Sequence, residues 1–451
     1  MLSVEDTSVK DPSVEDVATG WFSDGIHRRD LLKIGALGLG FGGLTLADML
    51  QAQTGVPSGT KAVINIHLEG GPPQMDTFDM KLDAPLELRG EFRPIRTSVP
   101  GTNICELLPR LARLADRYTI LRSVVGNVDA HNFDTTQLGY PGLRMPKPAM
   151  RSIGGAPAVG SVISRALGSH DGLPPFVWDK VGGSQEGVQA GYVGAMHRPF
   201  VPKDARHFRR TIPARRLEER VSLLRTLDGL RREVDASGQM EAMDAFTRRA
   251  VEVLLSGKLG EALDLSRECP RVRGRYQAGS GRYRSQTERF LLARRLVEAG
   301  VRYVALNWGG YLGFDSHDKN YPKMRAILPP FDAGLSALIE DVYQRGLDRD
   351  VLIVVWGEFG RTPRVNQKGG RDHWPTVQSA LVIGGGLKMG QVIGATDRIA
   401  GEVTERPVHV HEVLSTIYRH VGIDVQRLQF IDPSGRPRYL LDIRRPIREL
   451  L

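Results

Sequence analysis

Two hydrophobic patterns alternate along the chain. Short, largely apolar runs rich in β-branched residues recur at 61–68 (KAVINIHL), 119–125, 301–307 (VRYVALN), 351–356 (VLIVVW) and 381–383, and another starts at 176–177. Runs of this length and character predict strands buried on both faces. Between them lie stretches with apolar residues at three- and four-residue spacing, at 107–118, 152–167, 286–299, 331–345 and 408–421. That spacing predicts helices. Strand and helix in repeated alternation predict an α/β fold, a mainly parallel central sheet with helices on both faces. A block at about 203–270, helical at 217–234, 240–255 and 259–265, breaks the rhythm and reads as a helical insertion beside the sheet.

Composition adds boundaries. With 451 residues, 41% of them hydrophobic and 25% charged, the chain is of ordinary globular type. One large domain over 60–451, including the insertion, accommodates all the strands. The only cysteines, Cys105 and Cys269, form no CxxC pair, which excludes finger-type zinc and a disulfide-dense module. They are read either as one bridge or as two unpaired thiols. The formal charge of +9 gathers in basic stretches at 205–216, 271–284 and 436–448. None carries interleaved aromatics or a nucleic-acid motif, so the charge reads as solvated faces or a field that attracts anionic substrates, with no nucleic-acid partner.

The first fifty residues read as an address. Residues 1–25 are polar and acid-rich, a disordered lead. Residues 26–53 set His27-Arg28-Arg29-Asp30-Leu31-Leu32-Lys33 ahead of a moderately apolar, Gly-rich stretch, which resembles a twin-arginine export signal. The expected partner is the twin-arginine translocation machinery, and the expected destination the periplasm or cell envelope. The chain would meet a membrane only through this segment, if it stays uncleaved. Because that route carries folded cargo, often already loaded with metal, a metal site is worth seeking.

In open α/β sheets, ligands sit beyond the carboxyl ends of the strands. After 61–68 come Asp76 and Asp79, and after 119–125 come Asp129, His131, Asp134, Thr135 and Thr136. After 301–307 come Asp315, His317 and Asp318, and after 351–356 come Glu358, Arg361, Asp372 and His373. Four strand ends thus each deliver carboxylate or imidazole, the ligands of hydrolytic Zn, Mn, Fe or Mg sites. No GxSxG elbow is present, and Gly384-Gly385-Gly386, which follows a strand, lacks the Lys-Ser/Thr of a P-loop and the GxGxxG spacing.

The segments RRDLLKIG, GGPPQMDTFD, RSVVGNVDAHNFD, FDSHDKN, WGEFGRTPRVN and GRDHWP, in this order, resemble a family of exported proteins of unknown function. That family is grouped with the alkaline phosphatase/sulfatase-like superfamily, and the similarity covers roughly 26–425. The resemblance implies an alkaline phosphatase-like fold and a metal set of Asp76, Asp315, His317, Glu358 and His373. The ions would be Zn, Mn, Mg or Ca. Glu358-Phe359 stands where the superfamily has Asp-His, so one imidazole is missing. Thr135 or Thr136 would be the nucleophile, His131 a ligand or general acid, and Arg361 a bidentate clamp for the anion. No Cys lies beside the threonines, so sulfatase-type formylglycine chemistry is not implied. The function so implied is exported, metal-dependent hydrolysis of a phosphate or sulfate ester on an anionic small molecule or glycan. The alternative is a non-catalytic binding or scaffold protein of the envelope that keeps the fold.

Overall fold

β1 (Ala62–Leu68) forms because seven consecutive residues are buried and its alternate side chains serve two different cores. Ala62, Ile64, Ile66 and Leu68 face one core, and Val63 faces the other. The computed structural model describes residues 60–131, 134–138, 155–169, 171–179, 190–202, 256–309, 313–432 and 435–451. The lead, the export-like segment and the expected helices at 217–234 and 240–255 lie outside these residues.

Around β1 stand β2 (Tyr118–Val125), β3 (Phe176–Asp179), β4 (Tyr303–Trp308), β5 (Val351–Trp356), β6 (Gln378–Gly384), β7 (Val392–Ile393) and β8 (Val408–His409). The sheet order is β7–β2–β6–β5–β1–β4–β3, with β8 also pairing with β2. β1 runs parallel to β4 and β5, β3 to β4, and β7 and β8 to β2. Only β6 runs against its neighbours, β2 and β5. The sheet is therefore mixed and mainly parallel, and the carboxyl ends of β1, β2, β4 and β5 share one edge.

Among the described residues, and apart from the single turn Leu86–Arg89, the α-helices are α1 (Pro109–Arg113), α2 (Val159–Leu167), α3 (Lys258–Leu263), α4 (Pro270–Arg275), α5 (Arg282–Ala299), α6 (Asn320–Gln344) and α7 (Val410–His420). α5 and α6 cover one face, putting Phe290, Leu291, Leu335 and Leu338 among the even residues of β1. α2 and α7 cover the other with Val159, Val162, Val413 and Ile417. The expected helix at 107–118 shortens to α1 and a 3-10 turn before β2, because Pro109 fixes its start and Tyr118 is already extended. The helix expected at 331–345 instead begins at Asn320 and runs through Pro329 and Pro330. An internal proline costs about 3 kcal/mol. The stripe Met324, Ile327, Leu328, Phe331, Leu335 and Leu338 is buried on both sides of the prolines, at roughly 1.5–3 kcal/mol per large side chain, and outweighs that cost.

Both cysteines are free, Cys105 buried and Cys269 exposed. Among the described residues no helix is long and apolar enough to cross a membrane.

At the other edge of the sheet His420 donates through Nε2 to Asp350 O (3.0 Å) and Ala62 O (3.1 Å). Burial pushes its imidazole down to about 4. The unfolded chain takes up the proton near 6.5, so the stabilisation is complete above that pH and is lost as pH falls toward 4. At about 1.4 kcal/mol per pH unit the loss approaches ~3 kcal/mol. Thermal melts between pH 7 and pH 4 should show this fall, and His420→Gln should flatten it. An unchanged slope in the variant would mean that the acid sensitivity lies elsewhere.

Candidate metal centre

Four strand ends meet at the carboxyl edge, and glycines allow the approach. After β1 the chain turns through Gly70 (φ +107°), where a Cβ would stand 2.3 Å from the backbone N of Asp315 in the loop after β4. A side chain at Gly70 would therefore push the two loops apart. Gly70 and Gly71 donate their backbone N–H groups to Glu358 Oε1 (2.9 Å) and Oε2 (3.2 Å), which fixes the carboxylate at the end of β5. Beyond it the short strands Gly360–Arg361 and His373–Trp374 pair antiparallel, with Arg361 opposite His373. The loop after β2 supplies Asp129 and His131.

These loops bring His131, Asp315, His317 and His373 together, with one ligand atom from each lying within 4.8 Å of the others. Asp315 Oδ1 is 3.2 Å from His317 Nε2, 3.5 Å from His131 Nε2 and 3.7 Å from His373 Nε2. The Nε2 atoms of His317 and His373 are 3.1 Å apart. Each Nδ1 points outward onto a carboxylate: His131 to Glu358 (2.7 Å), His317 to Asp372 (2.6 Å) and His373 to Asp129 (2.6 Å). A carboxylate accepts only, so each Nδ1 carries the proton, and in the neutral tautomer each Nε2 then turns a lone pair inward. Three lone pairs and a carboxylate oxygen facing one point form a set of cation ligands.

The electrostatics agree. Burial alone would raise Asp315, but His131, His373 and Arg361 overcome it and hold the carboxyl far below the ordinary range. Burial would lower His131, yet Asp315 and Glu358 win and raise it to about 9. Negative charge at the centre thus exceeds what neutral imidazoles offset. Nε2 of His131 is buried without a hydrogen-bond partner, as expected of a ligand atom. Tetrahedral zinc, with bonds of about 2.0–2.1 Å, separates its ligand atoms by roughly 3.3 Å, close to the spacing here. The residues fit a divalent ion.

Phe359 is buried beneath the imidazoles, its ring centroid 4.4 Å from His373 and 5.2 Å from His131. His317, with 48% of its side chain exposed, leaves the other side open, whereas Glu358 is enclosed at 1%.

Residues 60–451 match the family described as Protein of unknown function (DUF1501). The chain belongs to that family. No curated protein matches it. Among solved structures it is similar to the PsFucS1 sulfatase from Pseudoalteromonas sp., at 11% identity and a TM-score of 0.39, over 89% of this chain and 73% of that one. It is similar also to the lipoteichoic acid synthase LtaP from Listeria monocytogenes, at 10% identity and a TM-score of 0.36, over 84% and 78%. A third likeness is to a protein in the alkaline phosphatase superfamily from Vibrio parahaemolyticus, at 9% identity and a TM-score of 0.38, over 84% and 74%.

Of the residues expected to bind metal, this DUF1501 chain brings Asp315, His317 and His373 together and adds His131. Glu358 stands one step behind, holding His131. Asp76 is engaged elsewhere. Fully buried, it takes Arg371 Nε on Oδ2 (2.7 Å) and Arg371 Nη2 on Oδ1 (3.1 Å), and Asn320 Nδ2 on Oδ2 (2.8 Å). A guanidinium therefore meets its charge. Arg361, expected to clamp an anion, is 1% exposed and donates to the carbonyls of Gly70, Gly71 and Arg371 as well as to Asp315. It orients Asp315 and has no open face for a substrate.

Thr136 is buried with Oγ1 2.9 Å from His67 Nδ1, and the side chain of Thr135 lies outside the described residues. His67 itself, buried at the end of β1, places Nε2 3.5 Å from Glu358 Oε2, and burial keeps it below the ordinary imidazole value. A histidine at an inward position of a buried strand is the signal that could have singled it out. Asp129 and Asp372 were visible only as loop acids.

Proposed function

We propose that this protein is an exported, metal-dependent hydrolase acting on a phosphate or sulfate ester of an anionic small molecule or glycan. The single observation that supports it is the convergence of three imidazole Nε2 atoms on Asp315 Oδ1, each imidazole backed by a carboxylate. His131, Asp315, His317 and His373 would hold the ion. When bound, a divalent ion supplies a Lewis acid for the ester oxygen and lowers the pKa of water. A nitrogen-rich set suits Zn, Mn or Fe better than Mg or Ca, which prefer oxygen ligands.

The chain's own residues do the rest. Glu358, Asp372 and Asp129 fix the imidazole tautomers and orientations, as outer partners of metal-bound histidines do. Arg361 orients Asp315, and Phe359 shields the lower side from water. Lys319, Lys323 and Lys368, whose charges reach Asp318 beside the open side, would draw an anionic ester inward. With the Thr136 hydroxyl held by His67, water is assigned the attack. The twin-arginine-like segment at 26–53 supports export, and the ion would then be loaded before it. Four protein ligands are also the pattern of a closed structural site, which favours the scaffold reading as the second one.

A panel of aryl phosphates and aryl sulfates, run on full-length protein loaded in turn with Zn, Mn and Fe, separates the two. Turnover should appear with at least one ion, and His317→Ala should lower kcat/KM at least ~100-fold, the ~3 kcal/mol of one ligand. Retained metal without turnover on any ester, together with a Tm that falls on chelation, would leave the scaffold reading standing.

A further inference from the structure

We propose a second anion site, at the far end of α6, that takes a small doubly charged oxyanion such as phosphate or sulfate. A cavity of about 170 Å³ opens there between α1, α4 and α6, lined by Arg110, Arg113, Arg275, Ser336, Ala337 and Glu340. At about 30 Å³ of liquid per water it holds roughly five waters, well below the 300–1,000 Å³ of sites for drug-sized ligands. An ion with a partial hydration shell fits that size.

The charge around the cavity is unbalanced. Arg110 and Arg113 are three residues apart on α1, so their side chains share a face, where like charges repel. Arg275 ends α4, with Nη1 3.0 Å from Gln344 Oε1 and 3.7 Å from Glu340 Oε2. Its Nη2 lies 3.5 Å from Asp341, but that carboxylate is shared with Arg294 and Arg345 at 3.0 Å each. Three guanidinium groups thus face one lining carboxylate, Glu340, and the buried Asp332, which takes the backbone N–H of Arg110 on Oδ2 (3.0 Å) and feels the charges of Arg110 and Arg113, leaves an excess of one positive charge. Guanidinium forks suit oxyanions because each can donate two parallel hydrogen bonds.

Ser336 is an independent sign. It is 2% exposed, it lines the same cavity, and its hydroxyl has no hydrogen-bond partner. Buried hydroxyls normally find one, and a turn of the Ser336 side chain toward the cavity would let an oxyanion supply it.

The site is separate from the metal centre and does not depend on the hydrolase reading. α6 starts at Asn320, bonded to Asp76, and Ser336 follows sixteen residues later, about 24 Å along the helix at 1.5 Å per residue. The test is calorimetric titration of full-length protein with inorganic phosphate and sulfate at constant ionic strength. It is run on the wild type and on His373→Ala treated with chelator, which removes the metal centre from account. Saturable 1:1 binding in both is the expected result. Arg113→Gln should weaken it at least tenfold with an unchanged Tm, since that side chain is exposed, and Ser336→Ala should weaken it several-fold. Binding that vanishes in chelated His373→Ala would place the anion at the metal centre and overturn the proposal. Binding of undiminished strength in both Arg110→Gln and Arg113→Gln, or none at millimolar concentration, would do the same.

Discussion

His373→Ala is expected to cost the protein nearly all of its bound metal. A four-ligand structural zinc site is worth roughly 10–16 kcal/mol, so one ligand accounts for ~3 kcal/mol, a factor of about 100 in affinity. The actual loss should be larger in effect, because His373 also closes the set, with its Nε2 only 3.1 Å from that of His317. Asp372→Asn and Asp129→Asn should act more gently, at about 10–100-fold, since they release an imidazole's orientation and leave the ligand in place. Elemental mass spectrometry of chelator-free protein, followed by competition with a chelating dye, ranks the three variants. Equal metal in wild type and His373→Ala would remove the centre from this position.

Asp76→Asn should leave that metal content untouched and instead lower folding stability by about 3–5 kcal/mol, the cost of stranding one partner of a buried ion pair. The Arg371 guanidinium is buried, and burial, which would lower its pKa, is overcome by Asp76. It also donates to the carbonyls of Leu88, Thr362 and Pro363, so it ties the turn after β1 to the segment that carries His373. Urea denaturation at fixed pH reads the loss directly. A variant of native stability that has lost its metal would make Asp76 a ligand and the Asp76–Arg371 pair incidental.

One carboxylate, Asp76, has a place in the sequence and partners in the structure that point in different directions. Asp76 follows a buried strand at the edge where ligands bind, which is what a metal ligand's sequence would look like. Its partner is 295 positions away and nothing local marks it. Arg361 was legible as a charged residue after β5, but burial and three backbone carbonyls turn it toward Asp315 and away from any ligand. In the same way the prolines in α6 are local stop signals, and only the apolar stripe that continues past them, packed on the sheet, explains why the helix does not stop.

By itself the sequence determined the strands, because unbroken apolar runs such as 351–356 have no stable place except inside a sheet covered on both faces. It also determined that Asp, Glu and His gather at the carboxyl ends of four of those strands. Periodicity is a local property, and burial follows from it. Which of the gathered residues face one another was decided only by the tertiary structure. Gly70 lets the loops after β1 and β4 touch, and the Gly360–Arg361 and His373–Trp374 pairing sets His373 opposite Arg361. Those contacts turn three histidines inward and hand their outer nitrogens to Glu358, Asp372 and Asp129. Long-range register sets such pairings, and a linear pattern of residue types does not encode it.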